Sequence, residues 1–165
     1  MMCRFSSLML GTALLAITAA GQSLAQGMDG DDVELIERGR YLVRIAGCND
    51  CHTAGYAQSG GMIPEAQWLA GERLGWHGDW GTTYPTNLRL YVQGISVDEW
   101  LRLARTRQLR PPMPWFALRD MTDSDLRAIY SLIKHLGPTG EPAPAYVPPG
   151  EEPVEPLVRF PAASQ

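Results

Sequence analysis

The chain has 165 residues and a formal charge of −4, which is one domain's worth of sequence and enough to bury a core. The acidic balance excludes nucleic acid and anionic membrane surfaces as favoured partners.

The N-terminus reads as an address. Arg4 lies in a short basic n-region, an apolar run follows from Leu8 to Ala20, and Ser23-Leu24-Ala25 is a small-residue exit, so residues 1–25 are expected to be a secretory signal peptide cleaved after Ala25. The run covers 13 residues, short of the roughly 20 that a spanning helix needs, and no second such run follows. The mature chain is therefore expected to be soluble and periplasmic, without an integral span. The rival reading is an uncleaved leader kept as an anchor. Loss of the leader removes Arg4 and leaves 13 basic against 18 acidic side chains. It also removes Cys3, so the two remaining cysteines lie three positions apart in a compartment that permits disulfides, and their purpose must be local.

A first helix is predicted from Asp31 or Asp32 to Ala46. Acidic residues open it, Leu35, Gly39, Leu42 and Ala46 repeat at helical spacing, and Gly47 closes it. It leads directly into Cys48-Asn49-Asp50-Cys51-His52, the C-x-x-C-H pattern of covalent haem attachment. On a helical turn positions i, i+3 and i+4 share a face, so two sulfurs reach two vinyl groups while the adjacent imidazole faces the iron. C-x-x-C also occurs in zinc ribbons and thioredoxin-like sites. A zinc site needs two more ligands of similar pairing, and outside the motif the mature chain has only His77 and His135. A thioredoxin-like site expects an α/β sheet, which this sequence does not suggest.

From Thr53 to Gly94 glycines and aromatics alternate without a sustained period, so loops are predicted, with a short helix near Pro64 to Ala70 and no strand. A second helix begins at Ser96, where Ser96 and Glu99 have capping-box spacing and Ile95 and Trp100 staple spacing; it ends near Thr106 or Gln108. Arg110-Pro111-Pro112-Met113-Pro114-Trp115 follows, in which the prolines prevent a helix and hold the backbone extended. A third helix is capped by Thr122 with Asp125 at N3 and Met121 stapled to Leu126. It carries the stripe Leu126, Ile129, Tyr130 and Ile133, and it stops at Gly137-Pro138. Eight of the 13 prolines lie in the last 29 residues. Residues 139–165 are thus predicted to be an extended tail outside the domain formed by residues 26–138. Tyr146, Val147, Leu157, Val158 and Phe160 are candidates to pin it, against the alternative of a mobile tail.

An electron carrier calls for a thioether as the second axial ligand, because methionine with histidine raises the iron potential. Four methionines survive the leader. Met28 precedes the first helix, Met62 is only ten residues beyond His52, and Met121 has a staple's role, which leaves Met113. The competing explanation is a methionine merely packed in a proline-rich turn. Trp76, Trp80, Tyr84 and Trp115 suit porphyrin packing or propionate bonding, but ordinary aromatic packing explains them equally well. Arg102, Arg105, Arg107 and Arg110 either surround the haem edge to steer an acidic partner or form a solvated helix face. His77 is expected to be a loop histidine without iron contact.

Gly39-Arg40-Tyr41-Leu42 leading into C-x-x-C-H, the central Thr86-Asn87, Pro112-Met113-Pro114 and the helix opening Met121-Thr122-Asp123 together resemble the single-haem domains of bacterial periplasmic cytochromes c. They are most similar to cytochrome subunits serving alcohol, gluconate and related dehydrogenases. The resemblance covers about Glu34 to Pro138. It implies an all-α, small cytochrome c fold: three main helices and long loops around one covalently attached haem c, with the terminal helices crossing where Gly39 approaches Tyr130. It also implies His52 and Met113 as iron ligands. Those subunits usually carry three haem motifs where this chain has one, and their segment after Thr-Asn is longer than Leu88-Arg89-Leu90-Tyr91 here, so no partner is carried over. The expectation is a one-electron carrier, not an enzyme, that meets redox proteins such as a dehydrogenase, an oxidase or another cytochrome through small, charge-rimmed and salt-sensitive interfaces. The alternatives are a haem enzyme or gas-binding protein with a labile sixth ligand, and a fixed electron-transfer subunit of a larger dehydrogenase.

Overall fold

The structure, a computed structural model, describes residues 30–161. The predicted leader, its cleavage point and Met28 lie outside the described residues. The elements in order are α1 (Gly30–Ile45), α2 (Cys48–His52), β1 (Gly75–Gly78), β2 (Gly81–Thr83), α3 (Leu88–Tyr91), α4 (Val97–Thr106), α5 (Trp115–Asp120), α6 (Asp123–Leu136) and β3 (Leu157–Arg159). Short 3₁₀ turns lie at Glu65–Gln67 and Val92–Gly94. Among the described residues no helix is long and apolar enough to cross a membrane.

Local signals placed the longer helices well. The Ser96 hydroxyl accepts the Glu99 amide at 3.2 Å and opens α4, and the Thr122 hydroxyl accepts the Asp125 amide at 3.1 Å and opens α6. Each satisfies an amide that has no partner inside its helix. Gly47 ends α1 in the left-handed region at φ 72°.

The core lies between α1 and α6, with α4 across them. Ile36, Leu42 and Val43 meet Leu126, Ala128, Ile129, Leu132 and Ile133, and Tyr56, Trp68, Leu69, Val92, Trp100 and Ala104 fill the remainder. Gly39 and Leu42 of the predicted α1 stripe are buried, but Ile36 and Val43 complete the buried face, while Leu35 is only partly covered and Ala46 is exposed. Gly39 is the crossing point, but it approaches Ala128 and Leu132 on α6, not Tyr130. Tyr130 instead donates its hydroxyl to the Ile95 carbonyl at 2.9 Å just ahead of α4, and the buried Trp100 indole of α4 donates to the Leu126 carbonyl at 2.9 Å, so aromatic bonds tie α6 to α4 and to the segment that leads into it.

The all-α expectation needs correction: the molecule is mostly helical and also holds a small three-stranded sheet, ordered β2-β1-β3. Strands β1 and β2 form an antiparallel hairpin with Trp76 opposite Thr83 and His77 opposite Thr82. Strand β3 joins β1 in parallel, Trp76 opposite Val158. Strands of three or four residues are too short to show an alternating pattern, and the partner of β1 arrives about 80 residues later. Neither feature leaves a local sequence signal. His77 is accordingly a strand residue, with Nδ1 2.7 Å from the Thr82 hydroxyl.

Through β3 the tail returns to the body. Val147 exchanges backbone bonds with Thr82 at 2.8 and 3.0 Å, and the Phe160 ring packs on Trp76 and Trp80 at 6.0 and 5.2 Å between centroids. The Tyr84 hydroxyl donates to the Val154 carbonyl at 3.2 Å, and Asn87 Nδ2 donates to the carbonyls of Thr139 and Glu141 at 2.8 and 3.1 Å. Four of the five candidate pins (Tyr146, Val147, Leu157 and Val158) are partly covered, whereas Phe160 packs on the two tryptophans yet stays exposed.

Helix α1 is also tied to the 3₁₀ turn by a bidentate pair. Arg40 Nε and Nη2 donate to the two Glu65 oxygens at 2.5 and 3.0 Å, and Glu37 joins from one turn earlier. The Arg40 bonds hold the Glu65 carboxyl below its usual range. A depressed folded value means that the stabilisation is fully present above the unfolded carboxyl value, about 4.3, and is lost as pH falls from there through the lower folded value. Glu65→Gln should therefore lower the urea midpoint at neutral pH and converge with the parent in acid; two parallel pH profiles would contradict this.

Candidate functional site

Helix α2 is the C-x-x-C-H motif itself. Gly47 turns the chain out of α1, the Asp50 amide bonds back to the Gly47 carbonyl at 3.1 Å, and Cys48, Cys51 and His52 follow on a single helical turn. Both thiols are free. Burial pushes Cys48 up to about 11 and raises Cys51 as well. An attacking thiol of a disulfide-exchange site has the opposite shift, so the site does not resemble a thioredoxin-like one. Among the described residues no three His, Cys, Asp or Glu side chains are grouped to hold a metal ion.

Orientation of the His52 ring comes from a backbone group that sequence reasoning missed. His52 Nδ1 lies 2.7 Å from the Thr86 carbonyl oxygen. A carbonyl only accepts, so in the neutral ring Nδ1 carries the proton and Nε2 keeps its lone pair for a metal. Burial lowers the His52 pKa, opposed by the Thr86 bond, and so favours the neutral, ligating form.

The segment 69–71 ties the chain around His52 to the chain around Thr86. The Leu69 amide donates to the Thr53 hydroxyl at 2.8 Å, and the Leu69 carbonyl accepts from the Leu88 amide at 3.0 Å. The Gly71 amide reaches the His52 carbonyl at 2.8 Å. Gly71 has φ 81°, and a Cβ there would lie 2.8 Å from Asn87 N and 2.9 Å from the Pro85 oxygen, so only glycine allows this approach. Leu69 takes φ 60° although it bears a side chain, a conformation that persists where several bonds over-determine it. Asn87 Oδ1 caps α3 by accepting the Leu90 amide at 3.1 Å, and buried Arg89 donates to the carbonyls of Ala66, Leu136 and Gly137. The resemblance had marked Thr86-Asn87 without giving the Thr86 carbonyl a role, and Arg89 looks like any surface arginine in the sequence.

Met113 sits, partly covered, in a turn and not in extended chain. Its amide bonds to the Arg110 carbonyl at 3.3 Å across Pro111 and Pro112, and the Thr83 hydroxyl holds the Pro111 carbonyl at 2.7 Å. The turn leads at once into α5, which no signal in the sequence predicts. The nearby arginines are engaged: Arg102 with Glu99, Arg105 with Asp123, Arg107 with the Tyr91 hydroxyl, and Arg110 over the Tyr146 ring. Of the four, Arg102 and Arg105 lie on α4 and are paired with carboxylates, while Arg107 and Arg110 follow the helix and meet tyrosine side chains. Met62 is 80% exposed.

The donor set fits a haem. Two thiols and an imidazole with a free Nε2 share one turn, and the buried indole nitrogens of Trp76 and Trp80 have no hydrogen-bond partner, a donor chemistry that matches propionate acceptors.

No family model and no solved structure matches the chain. Curated relatives do. The cytochrome c subunit of the quinone alcohol dehydrogenase of Gluconacetobacter polyoxogenes is 31% identical over 136 residues, which is 74% of this chain and 26% of that subunit. The corresponding subunit of Gluconobacter oxydans is 25% identical over 135 residues, again 74% and 26%. A subunit of the nicotinate dehydrogenase of Pseudomonas putida is 26% identical over 156 residues, 83% of this chain and 12% of that protein. The chain thus spans about a quarter of the alcohol dehydrogenase subunits and about an eighth of the nicotinate dehydrogenase subunit. Over some three quarters of its length it is similar to cytochrome c subunits of quinone alcohol dehydrogenases, and it carries a cytochrome c-like domain.

Proposed function

We propose that the protein is a periplasmic c-type cytochrome, carrying one electron at a time between a dehydrogenase and a terminal acceptor or another cytochrome, and transforming no substrate itself. The leader over residues 1–25 exports it, residues 26–138 carry the haem, and the tail that follows packs back on them through β3 and Val147. Cys48 and Cys51 anchor one haem c, His52 supplies one axial ligand and Met113 the other. When bound, the haem iron supplies a reversible one-electron couple.

The observation that carries this reading is the His52 ring, fixed by Thr86 with Nε2 free, on the same short turn as two protonated thiols. Thr86 holds the proton on Nδ1 and sets the ring plane, while buried surroundings favour the neutral form. The Pro111-Pro112 turn and Thr83 hold Met113, which removes the need for a flexible segment to find its position. The relatives' names support electron transfer, and because those relatives are subunits, a second reading is a fixed place in a dehydrogenase complex.

The test is the spectrum of protein matured in a periplasm, oxidised and then reduced. A low-spin spectrum in both states is expected, with the weak far-red band of methionine-ligated ferric haem, and Met113→Ala should abolish that band. A high-spin parent that binds carbon monoxide readily would contradict the carrier reading.

A further inference from the structure

We infer that the C-terminal tail is a positioning strap for Met113, acting through the stacking of Arg110 on Tyr146. The inference rests on the proposed reading of Met113 as an axial ligand.

The contacts form a closed circuit. On β2, Thr82 pairs with Val147 of the tail at 2.8 and 3.0 Å, and the next residue, Thr83, holds the Pro111 carbonyl at 2.7 Å. One three-residue strand thus grips the tail with one residue and the methionine turn with its neighbour. Arg110 completes the circuit, with its guanidinium carbon 3.7 Å from the centre of the Tyr146 ring. The ring is itself fixed, since the Tyr146 hydroxyl donates to the Trp80 carbonyl at 2.7 Å. Arg110 is also the residue whose carbonyl accepts the Met113 amide.

Without the stacking, the turn from Arg110 to Met113 keeps one side-chain anchor, Thr83, and its proline-rich backbone has few amides with which to form others. A guanidinium over an aromatic face is attracted by the ring quadrupole, and the planar fork of arginine stacks where lysine would not. The strap therefore raises the cost of swinging Met113 away and resists entry of a competing ligand.

The experiment is an imidazole titration of the ferric protein, followed by loss of the far-red band, for the parent, Tyr146→Ala, Arg110→Ala, the double variant and Tyr146→Phe. The alanine variants should bind imidazole about tenfold more tightly than the parent. The double variant should add nothing further, because either change breaks the same contact. Tyr146→Phe keeps the ring and should stay within about twofold. A tail with a purely structural role would lower the thermal midpoint and leave the imidazole affinity unchanged, and that result overturns the inference. Additive alanine effects overturn it as well. If the parent lacks the band, or Met113→Ala keeps it, the assignment of Met113 falls and the strap falls with it. A band lost in Met113→Ala together with unchanged titrations removes the strap alone.

Discussion

Arg89→Met is expected to lower the unfolding free energy by about 2–4 kcal/mol, with urea unfolding of the haem-loaded protein as the measurement. Arg89 is 5% exposed, and its guanidinium donates to the Gly137 carbonyl at 2.5 Å, the Ala66 carbonyl at 2.7 Å and the Leu136 carbonyl. Two of those carbonyls end α6, where the helix has no acceptor-satisfying amides of its own and its dipole favours a cation. Burial lowers the Arg89 pKa, yet an arginine remains charged. The removed desolvation cost offsets part of the loss, but the three carbonyls that lose their shared donor outweigh it. Lysine should restore little, because one ammonium cannot span three diverging acceptors. Arg89 lies three residues after Thr86, so the variant should also loosen the His52 bond and weaken haem retention. An unchanged midpoint would mean that burying the charge costs as much as its bonds return.

Gly39→Val should be more severe, with a loss above about 3 kcal/mol or failure to accumulate folded protein. A Cβ at Gly39 would stand 2.8 Å from the Ala128 carbonyl carbon and 2.9 Å from the Leu132 Cβ, and it would press on the Ala128 oxygen. The obstacle is largely backbone, so no rotamer change relieves it and α1 must move away from α6. Gly39→Ala separates the terms. Alanine gains about 1 kcal/mol of helix propensity over glycine, so any net destabilisation measures the clash beyond that gain. If Gly39→Ala stabilises the protein, the two helices do not cross this closely.

The residues themselves explain which features were legible in the sequence. Ser96, Thr122 and Gly47 act within one helical turn, so their spacing carries the whole signal. The same holds for Cys48, Cys51 and His52, whose common face follows from helical geometry alone. The sheet was missed because β1 and β2 are too short for a period and β3 is distant in sequence. The α1 stripe was right at Gly39 and Leu42 but not at its ends, where Ile36 and Val43 are buried in place of Leu35 and Ala46, since Leu35 and Ile36 are equally apolar and only the α6 partner decides between them. The Thr86 carbonyl, the strained Leu69 and the inward turn of Arg89 were invisible for a different reason. Each depends on a backbone path that brings residues 52, 69–71 and 86–89 together, and no residue type marks such a path. The prolines around Met113 correctly excluded a helix there, but they fold the chain into a turn stapled by Thr83.

The proposed covalent attachment of one haem through Cys48 and Cys51 can be read from the mass of the chain after denaturation and acidic organic extraction. One haem per chain should remain bound to the parent and none to the Cys48→Ala, Cys51→Ala double variant. A parent chain at its unmodified mass, with the pigment in the extract or absent, would contradict the account.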